Sequence, residues 1–171
     1  MTIQTARLTL RHFEPGDADW IFRDIINPNV AQWLTALPWP YRRADAESFI
    51  ARFKADPGYR VIVADHPIGV VSVAVRNGVP ELGYWLAEPA WGRGYMSEAA
   101  EAMVNWIFEQ GFDRTDSGWV LGNAGSENVL TKLGYVPTGE IKPTTCAFHP
   151  EPVLVKRVTL TSDAFRARQT A

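Results

Sequence analysis

The stretch from Tyr59 to Ala87 constrains the fold most. It holds three runs of β-branched and aromatic residues, Val61-Ile62-Val63, Ile68 to Val75 and Leu82 to Leu86, each bounded by turn residues. Between the second and third stands Asn77-Gly78, the dipeptide suited to a two-residue type I′ hairpin because both central positions need positive φ. Strands joined this tightly run antiparallel, so the spacing predicts a three-stranded meander. Upstream, Leu8 to Phe13 alternates apolar and polar residues and predicts a short strand, which Pro15-Gly16-Asp17 breaks. Ala18, Ile21, Phe22 and Ile25 then recur at helical spacing, with Asp17 as the expected N-cap and Asn27-Pro28 as the expected stop. Ala46, Phe49, Ile50 and Phe53 mark a second helix, ended by Asp56-Pro57-Gly58.

Downstream, Met96 to Gln110 carries an apolar stripe (Met96, Ala99 or Ala100, Met103, Ile107) and predicts a helix stopped by Gly111. Trp119-Val120-Leu121 reads as a buried strand, Ser126 to Leu133 as a short helix ended by Gly134, and Tyr135-Val136 and Val153 to Leu160 as closing strands. The expected order is βααβββαβαββ, an α/β (α+β) fold with a mixed sheet.

A chain of 171 residues is the size of one ordinary domain, and no repeat or low-complexity linker divides it, so residues 1–171 are expected to form a single domain. Lys+Arg 17 against Asp+Glu 19 leaves a formal charge of -2, which argues against nucleic acid or anionic lipid as a main partner. One cysteine, Cys146, forms no internal disulfide, and three widely spaced histidines offer no zinc-ligand cluster, so a reducing cytoplasm and a metal-free protein are expected. The Met1 to Arg7 segment lacks the layout of a secretory signal, and no apolar run approaches the ~18 residues of a membrane span.

The junction Ala90-Trp91-Gly92-Arg93-Gly94-Tyr95-Met96-Ser97 carries the chemical signal. Two glycines flanking an arginine just before a helix let the backbone turn tightly and aim several free N–H groups at one spot. The helix dipole favours negative charge there, so phosphate is the natural ligand, with a purely structural turn as the alternative. No Gly-Lys-Ser/Thr follows, which excludes a nucleoside-triphosphate P-loop. Ser97 stands where the last glycine of a dinucleotide fingerprint belongs, and the preceding meander disfavours a doubly wound fold.

These residues resemble a known family. Glu81-Leu82-Gly83-Tyr84-Trp85-Leu86 followed by Trp91 to Ala99, and Asn123-Ala124-Gly125-Ser126-Glu127-Asn128-Val129-Leu130-Thr131-Lys132-Leu133-Gly134-Tyr135, are similar to the cofactor-binding blocks of the GNAT N-acetyltransferases, in the variant of the RimJ/RimL ribosomal-protein branch. Thr5 to Arg11, Pro40-Tyr41 and Asp45 to Ile50 are also typical of that branch. The resemblance implies a mostly antiparallel central sheet with helices on both faces, acetyl-CoA as cosubstrate, and an amine acceptor, either a protein N-terminus or a small molecule. It implies that Leu86 and Ala87 run beside the pantetheine while Gly92, Arg93, Gly94, Tyr95, Met96 and Ser97 hold the pyrophosphate. Trp91 and Met96 depart from residues common in the wider family, but neither removes a backbone donor. Arg93 either pairs with a phosphate or stays solvated, and Glu98 and Glu101 are expected to point away from the cradle.

For the reaction, the resemblance assigns the acetyl carbonyl to the Leu86 amide. Glu81 either acts as a base through water or is a solvated carboxylate beside the hairpin. Making an α-amino group of pKa near 7.7–8.0 neutral at pH 7 costs about 1 kcal/mol, against about 4–5 kcal/mol for a lysine, so the lack of a strong base favours α-amino acceptors. Many family members carry a tyrosine where this chain has Leu130, and Ser126 is the expected substitute at the leaving thiolate, with helix capping as its alternative role. Asn123 would meet the pantetheine or cap, and Asn128 and Lys132 would reach outer CoA or stay on the surface. Trp39, Tyr41 and Trp85 are candidates for the acceptor side. Cys146 and His149 form a weak nucleophile pattern with no orienting third residue. A CoA-binding sensor without turnover is the competing reading, and the assembly is expected to be a monomer or homodimer.

Overall fold

The computed structural model describes residues 2–170; Met1 and Ala171, the ends of the expected domain, lie outside the described residues. Fifteen elements follow in order: β1 (Ile3–Gln4), β2 (Thr9–Arg11), α1 (Asp17–Ile25), α2 (Pro28–Ala31), α3 (Arg43–Phe53), β3 (Tyr59–Val63), β4 (Pro67–Arg76), β5 (Val79–Leu86), a 3-10 turn (Glu88–Ala90), α4 (Tyr95–Glu109), β6 (Arg114–Val120), α5 (Ala124–Leu133), β7 (Val136–Thr144), β8 (Val153–Thr161) and α6 (Ser162–Gln169). The strands form one sheet in the order β1-β2-β3-β4-β5-β6-β8-β7. Every pairing is antiparallel except that of β5 with β6.

The expected meander is β3, β4 and β5, and its hairpin turns on Asn77 (φ 50°) and Gly78 (φ 79°), the conformation that the dipeptide dictates. Alternation then sorts the side chains. Ile62, Val71, Leu82 and Leu86 face one core with α4 and α5, and Val61, Val70 and Trp85 face a second core with α1, α2 and α3. Because both faces are covered, these strands read as nearly unbroken apolar runs.

Several sequence expectations shift. Asp17 is the first residue of α1, not its cap, which is Gly16 without a side-chain bond. Pro28 does not merely stop α1; it opens α2, capped by the Asn27 side chain, because proline at a first helical position lacks only an N–H that has no helical partner. β6 starts at Arg114 rather than Trp119 and ends before Leu121, since its buried inward residues include the hydroxyls Thr115 and Ser117, which do not look apolar. β7 runs on to Thr144 and carries Pro137 and Pro143, which an edge strand tolerates. β1 and α6 had no periodicity strong enough to mark them.

Asp17 fastens α1 to β2. Its carboxylate accepts two hydrogen bonds from Arg11 at 2.8 Å, one from the Glu14 amide at 2.7 Å and one from the Trp20 indole at 2.7 Å. Burial alone pushes its pKa up, but the hydrogen bonds from Arg11, Glu14 and Trp20 outweigh that and hold it below the ordinary value. We therefore expect Asp17→Asn to cost about 2–3 kcal/mol in urea unfolding at pH 7, less than for a fully buried pair because Arg11 keeps some solvent. A depressed folded pKa gives stability that is full above the unfolded value of about 3.9 and is lost as pH falls through the folded one, so the gap between wild type and variant should close in acid. A gap unchanged down to pH 2 would contradict this role.

Candidate active site

The site opens where the sheet comes apart. β4 and β5 pair from Gly69↔Leu86 to Arg76↔Val79, but β5 and β6 share one register pair, Glu81↔Asp116. Two buried hydroxyls of β6 brace that junction: Thr115 donates to the Pro80 carbonyl at 3.0 Å and Ser117 to the Leu82 carbonyl at 2.8 Å. Beyond Leu82 the two strands share no further register pair, and the gap belongs to a cleft of about 1590 Å³. That exceeds the roughly 300–1,000 Å³ of an ordinary ligand pocket and leaves room for two substrates.

Backbone alternation decides which groups line the gap. The Ala87 amide donates to the Ile68 carbonyl at 2.8 Å, across to β4. Peptide groups alternate in direction along a strand, so the amides of Leu86 and Tyr84 point the other way, into the seam. The Leu86 carbonyl there accepts from the Trp91 indole at 2.9 Å, while its N–H lies on the side that β6 has vacated. Ala87, expected beside the pantetheine, thus turns its donor away from the seam and is not among the cleft residues.

At one end of the seam stands the glycine-bracketed turn. Gly92 (φ 74°) and Gly94 (φ 77°) both occupy the left-handed region, and Gly94 is the N-cap of α4 with no side-chain bond to the first turn. A Cβ at Gly92 would meet nothing within 4 Å, so what requires glycine there is conformation rather than space. The helix's first amides, at Tyr95, Met96 and Ser97, are aimed outward beside the cleft that these residues line. Arg7 ties the turn down, donating to the Arg93 carbonyl at 3.0 Å and to Glu98 at 2.7 Å. Burial raises the Glu98 pKa, but bonds from Thr5, the Arg7 amide and the Arg7 side chain overcome it and the net shift is downward. Glu98 is therefore committed to Arg7, and Glu101 to Arg168 at 2.7 Å, which keeps both carboxylates off the cradle. Arg93 is exposed at the turn.

α5 forms the opposite wall. Asn123 caps it, its side-chain oxygen accepting from the Ser126 amide at 3.1 Å, so capping falls to Asn123 and Ser126 is left free for another role. Ser126 Oγ lies 3.0 Å from the Tyr84 hydroxyl, which reaches across from β5. Tyr84 is a site residue that strand alternation alone did not single out, since nothing in the sequence reveals that residue 84 and residue 126 meet. Leu130, one turn beyond Ser126, is fully buried in the core. Asn128 and Lys132 are exposed on the cleft rim.

On the other sheet face, both oxygens of Glu81 are engaged, one by Arg157 at 2.6 Å and one by Arg76 at 3.0 Å. Five strand steps separate Glu81 from Leu86, about 16 Å. Trp85 lines the cleft and packs on Trp20, with ring centroids 5.8 Å apart. Tyr41 also lines it; burial first, and then Asp45, push its phenol up to about 12. Trp39 is not among the cleft residues: its ring packs edge-on against Phe148, 4.7 Å between centroids. Cys146 is buried with its thiol 3.7 Å from the Leu34 carbonyl, while the His149 ring meets the Gln32 carbonyl at 2.9 Å, so the two side chains have separate partners. Among the described residues no group of three or more His, Cys, Asp or Glu is placed to hold a metal ion, and no helix is long and apolar enough to cross a membrane.

The chain is 26% identical over 152 residues to the uncharacterized N-acetyltransferase p20 of Bacillus licheniformis, covering 82% of this chain and 85% of that protein. Its fold is similar to that of a GNAT-family acetyltransferase from Bacillus anthracis (TM-score 0.84, 18% identity, 95% and 99% of the two chains). It is also similar to that of RimL, a ribosomal L7/L12 alpha-N-protein acetyltransferase solved with coenzyme A (TM-score 0.80, 18% identity, 96% and 99%). The sequence pattern of the acetyltransferase (GNAT) domain matches residues 7–136, most of the chain, and the protein therefore belongs to the GNAT family of acetyl-CoA-dependent acetyltransferases.

Proposed function

We propose that this protein, acting as one domain, acetylates the α-amino group of a protein or peptide. The observation that carries this reading is the state of Glu81. It stands with Asp116 at the seam's origin, yet two arginines hold both its oxygens and it sits about 16 Å along the strand from Leu86. A base so placed works through water at best. That suits an amine whose neutral form costs about 1 kcal/mol at pH 7 and fails one that costs about 4–5 kcal/mol. The similarity to RimL, named for an α-N-protein reaction, points the same way.

The site fits acetyl-CoA on its own terms: open amides at a helix start for a pyrophosphate, an unpaired strand edge for an extended chain, and a hydroxyl across the gap. When bound, acetyl-CoA supplies a thioester carbon open to attack and a thiolate leaving group. The amides of Gly94 to Ser97 hold the phosphates, and the Leu86 N–H polarises the carbonyl oxygen as a preorganised donor. Asn123, whose side-chain oxygen is spent on the helix cap, keeps its amide N–H groups for the pantetheine. Ser126 donates to the leaving sulfur. Trp85 and Tyr41 shape the acceptor side, while Asn128 and Lys132 meet the outer CoA.

Thiol release from acetyl-CoA tests the acceptor. Peptides with free N-termini should turn over, whereas N-terminally blocked peptides bearing lysine should be slower by at least about 100-fold, following the difference in amine cost. Equal rates on blocked lysine peptides, or turnover confined to small amines, would overturn the reading. Ser126→Ala should lower kcat about 10- to 100-fold with CoA affinity kept within about twofold, and binding without turnover in the wild type would favour a sensor. Gly94→Val forces a branched side chain into positive φ, its Cβ 3.4 Å from Arg7, and should weaken CoA binding by about 10-fold or more in calorimetry.

A further inference from the structure

We propose that Tyr84 is a positioning residue for the leaving-group end of the site, its hydroxyl fixing the rotor of Ser126 so that the serine's own proton faces the cleft. The inference rests on the placement of Ser126 at the leaving sulfur argued above. Tyr84 and Ser126 are 42 residues apart in sequence and come from opposite walls of the seam, yet their oxygens stand 3.0 Å apart. The Ser126 carbonyl, at 3.3 Å, is the phenol's second neighbour.

The proposal makes the phenol the donor. A phenol has one hydrogen to give, and Ser126 offers its two nearby acceptors. The carbonyl lies within α5, four residues before Leu130, and already accepts the helical bond of that turn. The serine oxygen is the closer of the two acceptors, 3.0 Å against 3.3 Å, and the proposal places the phenol's hydrogen on it. Once Ser126 Oγ accepts from Tyr84, its own hydrogen cannot also point at Tyr84 and turns to its open side, the cleft that both residues line. Burial raises the phenol pKa, only partly offset by the bond to Ser126, so Tyr84 stays protonated and keeps donating across the working pH range. A donor feeding a donor also polarises the chain, which strengthens its last bond.

The step balances without moving either proton. The amine nitrogen forms its bond to the acetyl carbon, the carbon–sulfur bond breaks with its electron pair on sulfur, and the amine's proton passes to water. Ser126 and Tyr84 end the step holding the hydrogens they began with, and the thiolate takes a proton from water on release.

Because Tyr84 also packs against the α4 and α5 core, the test must separate positioning from packing. The probe is free CoA bound to the full chain, its thiol titrated by the ultraviolet absorbance of the thiolate, alongside kcat with a free-N-terminus peptide and binding of desulfo-CoA. Ser126→Ala should raise the bound thiol's pKa by about one unit, the size expected from one hydrogen bond to a charged group. Tyr84→Phe should produce about half that shift and a several-fold fall in kcat, with desulfo-CoA affinity unchanged. Adding Tyr84→Phe to Ser126→Ala should produce no further shift. If Tyr84→Phe leaves the thiol pKa in place while Ser126→Ala moves it, the proposal is wrong and the serine assignment stands. If Ser126→Ala moves nothing, the serine assignment falls and this proposal with it. Loss of desulfo-CoA binding in Tyr84→Phe would assign Tyr84 to packing instead. Should that variant fail to fold, 3-fluorotyrosine at position 84, a stronger donor, should lower the bound thiol's pKa, and no change would equally overturn the proposal.

Discussion

Everything chemical in this protein depends on a ladder that stops. β5 and β6 touch at Glu81 and Asp116, and the hydroxyls of Thr115 and Ser117 lock that junction to the Pro80 and Leu82 carbonyls. The rest of the sheet is continuous on either side, so the parting is confined to one seam. A buried strand edge with unmet amides is costly, about 1–3 kcal/mol per orphaned group, and a fold keeps one only where something else satisfies it. Trp91 meets the Leu86 carbonyl from the turn that follows. The Leu86 and Tyr84 amides face the side that β6 has vacated, and in the proposed reading they are left for an extended ligand.

The same seam explains why near-neutral composition misleads about ligand charge. A formal charge of -2 gives no long-range attraction for a polyanion. In the proposed reading the attraction is local and directional, from helix-start amides freed by two glycines at positive φ. Arg7 reinforces it indirectly. By pairing with Glu98 and gripping the Arg93 carbonyl, it holds the turn and removes an acidic side chain that would oppose phosphate. A contact between residue 7 and residue 98 thus makes the N-terminal strand pair part of the cradle's scaffold.

How much of this could be read in advance follows from the range of the forces involved. Local rules were sufficient for the Asn77-Gly78 hairpin, for α4 with its apolar stripe and for the Gly92–Gly94 turn, because each is dictated within a few residues. They found only the end of β6, at Trp119 and Val120, and missed its first half, whose buried Thr115 and Ser117 brace the junction and look like surface residues in sequence. They failed for α6, where Phe165 is the one large apolar residue that packs inward. Trp39 looked like a binding aromatic, but its ring found Phe148, more than a hundred positions away. The meeting of Tyr84 with Ser126 has the same origin: a pair defined by topology leaves no periodic trace in either segment.

The division of labour in the site follows from those placements. Removing a proton from an α-amino group asks little of a protein near pH 7, and in the proposed reading Glu81, fastened between Arg157 and Arg76, braces the sheet junction more than it accepts protons. The harder charge to accommodate is the one developing on the departing sulfur, inside a cleft walled by aromatic and aliphatic side chains where an unpaired anion is penalised. In the proposed reading the hydroxyls near the seam are placed accordingly. Thr115 and Ser117 shape the junction from below, and Ser126, backed by Tyr84, faces the opening. In this reading the protein is built less to activate its acceptor than to stabilise what the acceptor displaces, and that choice narrows the acceptor to amines that are already close to neutral.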